Sequence, residues 1–182
     1  MEALHLSLKS KPKCFILDVD GVMTTGQFLY TSDGKAMKIF GPDDNDGLSL
    51  LKASLDIRFV TGDKKGFSIS KKRIVDDMGF TLDLVSTIRR IDWIKEHYEP
   101  SEVIYMGDGI FDHYVMKHVG YSIAPANADR FAKKSANYVT DRSGGDRAVA
   151  EACLHIMEKF FTPYNASELP SSQSKLSGEW TV

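Results

Sequence analysis

Cysteine is scarce in this chain: Cys14 and Cys153 are the only two, far apart, and the first opens an apolar run. That spacing excludes a disulfide-stapled scaffold and predicts two buried thiols in a reducing compartment. No apolar run approaches the length of a membrane span. The segment 1–13 is interrupted by His5, Ser7 and Lys9, so no signal-peptide core forms and a cytoplasmic protein is expected. Charge of one sign is not in excess either. A formal net charge of -2 gives no case for nucleic acid or a membrane surface as a partner. Internal repeats are absent. What remains is an ordinary soluble composition, 42% hydrophobic and 26% charged, in a length that fits one domain with a sizeable core.

Three short apolar runs each end in residues able to do phosphate or metal chemistry. They are Phe15-Ile16-Leu17-Asp18-Val19-Asp20-Gly21, Arg58-Phe59-Val60-Thr61-Gly62-Asp63 and Val103-Ile104-Tyr105-Met106-Gly107-Asp108-Gly109. Buried parallel strands read as continuous apolar runs. Open α/β sheets place ligands beyond the carboxyl ends of their strands. Asp18, Asp20, Thr61 and Asp108 are therefore predicted on one rim, a donor set suited to a hard divalent cation and an anionic substrate.

After the first run, residues 22–40 hold two β-prone segments around Asp33-Gly34, a hairpin signal. The hairpin carries more apolar residues than a free-standing one should expose, so it is expected to pack on something such as another subunit. From Asp46 onward, helical and strand patterns alternate. Helices are predicted through Leu48, Leu51 and Leu55, then over 67–78 with Gly79 as the stop, 88–97, 111–117 and 147–160. Strands are predicted at 57–60, 81–85, 103–106, 120–124 and 136–140. This alternation predicts an α/β fold with a doubly wound, mainly parallel sheet. Residues 1–12 read as an extension and 13–161 as the domain. Residues 162–182, rich in Ser, Pro and Gly, read as a flexible tail whose Trp180 could dock.

Asp18 and Asp20, two residues apart at a strand end, can share a cation and still do separate jobs. Asp18 suits a nucleophile on phosphorus, and Asp20 suits the acid that protonates the leaving alkoxide and then the base for water. Gly21 permits the tight turn there. Asp108 would ligate the metal, and Asp112, one helical turn on, would reinforce it. Thr61-Gly62 offers a hydroxyl and amides as a phosphate cradle. Lys64-Lys65 and Lys71-Lys72-Arg73 read as solvated helix faces, and His113 and His118 as structural or exposed.

Asp-x-Asp-Gly, then a strand ending in Thr-Gly, then Gly-Asp-x-x-x-Asp, in this order, resembles the haloacid dehalogenase superfamily. The closer resemblance is to its small sugar-acid phosphatases, typified by 3-deoxy-D-manno-octulosonate (KDO) 8-phosphate phosphatases. The hairpin in place of a cap domain, Asp46-Gly47-Leu48, and Tyr138-Val139-Thr140 followed by Ser143-Gly144-Gly145 and a closing helix all point the same way. The match spans about residues 15–160. The resemblance implies a Rossmann-like fold without a cap domain and a Mg²⁺-dependent phosphomonoesterase acting on a sugar-acid phosphate, KDO 8-phosphate or a nonulosonate 9-phosphate. It also implies a homotetramer in which hairpins form a central barrel and neighbours cap each site. Carried over by position, Asp18 is the nucleophile, Asp20 the acid/base, Thr61 and Gly62 hold the phosphoryl group, and Asp46 lines the substrate pocket. Asp18, the carbonyl of Asp20, and Asp108 hold Mg²⁺, with Asp112 in support.

One position departs. The family expects a lysine soon after the third strand, and this chain reads Val85-Ser86-Thr87-Ile88-Arg89-Arg90 there. Arg90 as its catalytic replacement with Arg89 toward substrate is one reading; a solvated arginine face is the other. Asn45 and Asp146-Arg147 also stand where the family is more basic. A second class follows from the missing lysine: a silent oligomerisation or regulatory domain like those attached to nucleotide-sugar synthetases. The intact carboxylates oppose it.

Overall fold

The computed structural model describes residues 11–168; all but the last two residues of the expected extension, and most of the tail, with Trp180, lie outside that range. The chain runs β1 (Cys14–Asp18), a hairpin of β2 (Thr24–Thr31) and β3 (Gly34–Phe40), α1 (Asp44–Leu51), β4 (Asp56–Thr61) and α2 (Phe67–Lys71), which continues as a π-helical stretch Lys72–Asp77. Next come β5 (Thr81–Leu84), α3 (Arg90–His97), β6 (Val103–Met106), α4 (Asp112–Met116), β7 (Tyr121–Ala124), α5 (Arg130–Ser135), β8 (Tyr138–Val139) and α6 (Ala148–Phe160). Six strands form one sheet in the order β5-β4-β1-β6-β7-β8, every pair parallel. The hairpin stands apart as an antiparallel pair. No cap domain is present among the described residues. The expected doubly wound α/β fold is the fold found.

All five residues of β1 are buried, as its continuous apolar character requires at the sheet centre. Their alternation sorts the protein into two cores. Phe15 and Leu17 point into a cluster with Leu48, Phe59, Ile104 and the α6 residues Val149, Ala152 and Ile156. Cys14 and Ile16 point the opposite way, to Val60, Ile94, Val103, Tyr105 and Met116. By the same two-residue period, Asp18 continues the Ile16 side, where α3 and α4 pack. Strand parity thus decides which helices can reach Asp18.

Some boundaries differ from expectation. The first helix ends at Leu51 and Leu55 lies beyond it, because a turn with Ser54 N–H donating to Leu51 closes it early. The helix α5 was hidden in a stretch with no clear apolar period; Asp129 caps it by accepting from Phe131 N–H at 2.8 Å. Gly79, at φ +72°, ends the π-helical stretch as its left-handed stop. The thiols of Cys14 and Cys153 are free and buried. No helix of the described residues is long and apolar enough to cross a membrane.

α1 and α6 both start from non-glycine residues in the left-handed region, Asp43 (φ 64°) and Arg147 (φ 69°). An ion pair joins the two, Arg147 Nε to Asp43 Oδ2 at 2.5 Å. Beside them Asp44 is buried and accepts a 3.0 Å bond from Ala150 N–H, which caps α6 from a distance in sequence. Burial pushes its carboxyl up to about 6 from 3.8, against the backbone donors. A carboxyl raised on folding contributes stability below its unfolded value and loses it as pH rises through the folded value. Replacing Asp44 by Asn keeps the acceptor and removes the charge. Urea titrations should then show the variant gaining on the wild-type by about 3 kcal/mol between pH ~4 and neutrality; a pH-independent difference would contradict this account.

Candidate active site

Order reverses around β1: the chain winds outward through β4 and β5, returns beside β1 as β6, and winds out the other way. A crevice opens at the carboxyl ends of such a switch point. Asp18 closes β1, Thr61 closes β4, and Asp108 follows β6, so all three stand on its lips. A cleft of about 370 Å³ there is lined by Asp18, Asp20, Thr61, Gly62, Asp63, Ser86, Thr87, Ile88, Arg90 and Phe111.

The loop after β1 has one permissible shape. Gly21 lies at φ +87°, and a Cβ on it would sit 2.0 Å from Asp108 Oδ2. Only glycine lets the first and third motifs close on one another. Asn127 braces this loop, donating to Gly21 O at 3.1 Å while accepting from Gly144 N–H at 2.7 Å. The Ser143-Gly144-Gly145 turn therefore buttresses the turn that carries Asp20.

Asp18, Asp108 and Asp112 each bring an oxygen within 4.8 Å of the others, two of them buried and Asp108 half-buried. Like charges this close in a poorly solvated site resist ionisation. Burial, then the charges of Asp18 and Asp112, push Asp108 up to about 8. Burial and the Asp18 charge also raise Asp112. Three hard oxygen donors with more negative charge than their surroundings balance fit a divalent cation. Asp20 lies outside that trio; its carboxylate turns to Lys38 Nζ at 2.8 Å and Thr61 Oγ1 at 3.4 Å. Burial raises Asp20 despite the lysine.

Arg90 is the largest fully buried side chain among the described residues, 1% exposed. Its guanidinium reaches Asp18 at 2.8 and 2.9 Å, Asp112 at 3.1 Å and the Tyr105 hydroxyl at 2.6 Å. Tyr105 donates in turn to Asp112 at 2.6 Å. Burial works against the arginine's charge, yet Asp18 and the rest of this cluster hold it firmly protonated. A planar fork can span two carboxylates where an ammonium would meet them as a point. The Ile16 side of the sheet, to which Asp18 belongs, is where Arg90 at the start of α3 arrives. Arg89 points away, exposed, 3.7 Å from Asp92.

Asp46 is also apart from this cleft: it is exposed and lines a second cavity with Gly47, Arg142 and Arg147. Lys71 and Lys72 pair outward with Asp76 and Asp77. Sequence reasoning missed Lys38, Asp63 and Tyr105. A lone lysine inside Met37-Lys38-Ile39-Phe40 and a tyrosine in a wholly apolar strand were the available signals.

Substituting Met for Arg90 would leave two buried carboxylates without their counter-charge. Removal of one partner from a buried pair costs about 3–5 kcal/mol, whereas Arg90→Lys should lose less. Chemical denaturation of the metal-free proteins reads this directly. An Arg90→Met protein as stable as wild-type would show that the guanidinium does not balance these acids.

The profile of the haloacid dehalogenase-like hydrolases matches residues 92–152. A KDO 8-phosphate phosphatase of Salmonella typhi is 32% identical over 160 residues, 82% of this chain and 81% of that protein. Its Yersinia pestis counterpart is 30% identical over 78% of this chain and 77% of its own. Among solved structures, the Moraxella catarrhalis KDO 8-phosphate phosphatase, in complex with magnesium, phosphate and KDO, superposes with a TM-score of 0.69 at 26% identity. It covers 81% of this chain and 86% of its own. The cobalt-bound Haemophilus influenzae enzyme gives 0.71 at 27% identity, over 81% and 88%. With the parallel sheet, the carboxylate-lined switch point and these relatives in agreement, the chain belongs to the KDO 8-phosphate phosphatase family of haloacid dehalogenase-like hydrolases and is a phosphatase.

Proposed function

We propose that this phosphatase hydrolyses the phosphomonoester of a small sugar acid, with KDO 8-phosphate as first candidate and a nonulosonate 9-phosphate as second. The observation that carries the reading is the buried Arg90 bridging Asp18 and Asp112, since it supplies the positive charge expected of the missing lysine. A silent scaffold would have no physical need to bury an arginine against intact carboxylates. In solution Mg²⁺ would be held by Asp18, Asp108 and Asp112 with the Asp20 carbonyl, and it would neutralise the phosphoryl oxygens.

This chain's own groups would do the rest. The phosphoryl group would sit over Thr61 and Gly62, which line the cleft. Asp18 attacks the phosphorus; the ester oxygen leaves and takes the proton of Asp20. Asp20, now ionised, draws a proton from water, which attacks the aspartyl-phosphate and frees Asp18 with inorganic phosphate. Arg90 holds the Asp18 carboxyl in place for its attack and for its release. Each group is used in both half-reactions, so the cycle closes on the starting protonation state.

Phe28, Leu29, Tyr30, Met37 and Ile39 are exposed on the hairpin, and this supports burial of that surface between subunits, in a homotetramer whose neighbours complete each cleft. A cytoplasmic location accords with free thiols.

Phosphate release from a panel including both candidate substrates, with Mg²⁺ or EDTA and beside Asp18→Asn, tests the reading. Turnover that needs Mg²⁺ and falls by at least about 10⁴-fold in Asp18→Asn is expected. No turnover by a folded protein that binds Mg²⁺ would overturn it, and a monomer with full activity by light scattering would overturn the tetramer.

A further inference from the structure

Most of the hairpin is at the surface, and beyond Thr24 at its base its one buried strand residue is of the type least suited to burial. In β3 only Lys38 is buried, and its side chain is fully enclosed. An enclosed ammonium is costly unless every donor is matched. Here each finds an acceptor: Asp20 at 2.8 Å, Asp63 at 2.9 Å and Ser70 Oγ at 2.8 Å. No donor is left for a substrate.

The frame around it is tight. Asp63 also takes Lys35 at 2.5 Å and accepts from Gly66 N–H at 3.0 Å. Burial opposes its ionisation, yet the two lysines hold it down at about 2. Gly66 makes the room: a Cβ there would lie 2.7 Å from Lys38 Cε and 2.8 Å from Lys35 Cδ. Lys35 in turn lies 3.3 Å from the Phe28 ring centre on the facing strand. The hairpin is thereby clamped to the carboxyl ends of β1 and β4.

We propose that Lys38 is the positioning residue for Asp20, and that through it the hairpin sets where the acid/base carboxyl stands relative to the leaving oxygen. The inference rests on the phosphatase reading above. Each hairpin is then part of its own subunit's site, whatever it also contacts in an assembly. Arg90 and Lys38 divide the work: one holds the nucleophile side of the cleft, the other the proton-transfer side.

Leaving-group dependence separates this role from a structural one. A sugar phosphate departs as a poor leaving group that needs a proton, while p-nitrophenyl phosphate departs as a stabilised anion that does not. In Lys38→Met, kcat/KM, which reports the steps through phosphoryl transfer and not the hydrolysis of the intermediate common to both substrates, should fall by about 10²-fold or more on the sugar phosphate and by only a few-fold on p-nitrophenyl phosphate. Lys38→Arg should recover part of the difference, and Ser70→Ala should show a smaller loss of the same kind. The ratio of the two rates is taken on one sample, so partial misfolding does not disturb it. Equal losses on both substrates, or none, would overturn the positioning role. A wild-type protein with no Asp18-dependent turnover on either substrate would instead sink the phosphatase reading beneath it.

Discussion

Negative charge crowded onto one rim is the constraint around which this protein is built. Asp18, Asp20, Asp63, Asp108 and Asp112 meet at the carboxyl ends of three neighbouring strands, where burial strips them of water. Two buried cations offset this. Arg90 spans Asp18 and Asp112, and Lys38 spans Asp20 and Asp63. Asp108 forms no ion pair among the described residues, and burial with its acidic neighbours pushes it up to about 8. The unbalanced acid is the one left facing the space between the others, which is the arrangement a cation site needs before its ion arrives.

Topology makes that crowding possible. A parallel sheet whose order reverses beside β1 collects strand ends from both halves of the chain, and the two-residue period of β1 decides which helix meets Asp18. Gly21 lets Asp108 come within contact of the first loop, and the Gly144 turn holds that loop through Asn127. Residues remote in sequence thus converge because the sheet and two turns leave them one place to go. The Arg90 fork is placed in the same terms: besides Asp18 it reaches a second carboxylate and a tyrosine hydroxyl, and both contacts lie on the face where parity already sends Asp18.

Much of this was legible beforehand. Buried parallel strands are continuous apolar runs, so β1, β4 and β6 and the residues ending them could be read directly, and the Asp33-Gly34 turn marked the hairpin. The α5 helix was not legible, since it depends on the Asp129 cap more than on an apolar period. Nor was the choice between Arg89 and Arg90: adjacent residues on one helical turn differ only in which way they face, and packing sets that. Lys38 was hidden for a related reason. A polar residue in a hairpin normally marks the solvent side, and only the tertiary approach of Asp20, Asp63 and Ser70 turns it inward. Asp46 shows the reverse, a motif position whose place in this fold is a different cavity.

The central claim is that this carboxylate cluster carries Asp18 as a nucleophile. Its most direct test is rapid acid quenching of an Asp20→Asn protein during reaction with p-nitrophenyl phosphate and Mg²⁺, followed by peptide mass spectrometry. Without the base for water, a phosphoryl group should accumulate on the peptide bearing Asp18 and be removed by hydroxylamine. Release of p-nitrophenol with no phosphorylated Asp18 at any quench time would contradict the account and assign the attack to water.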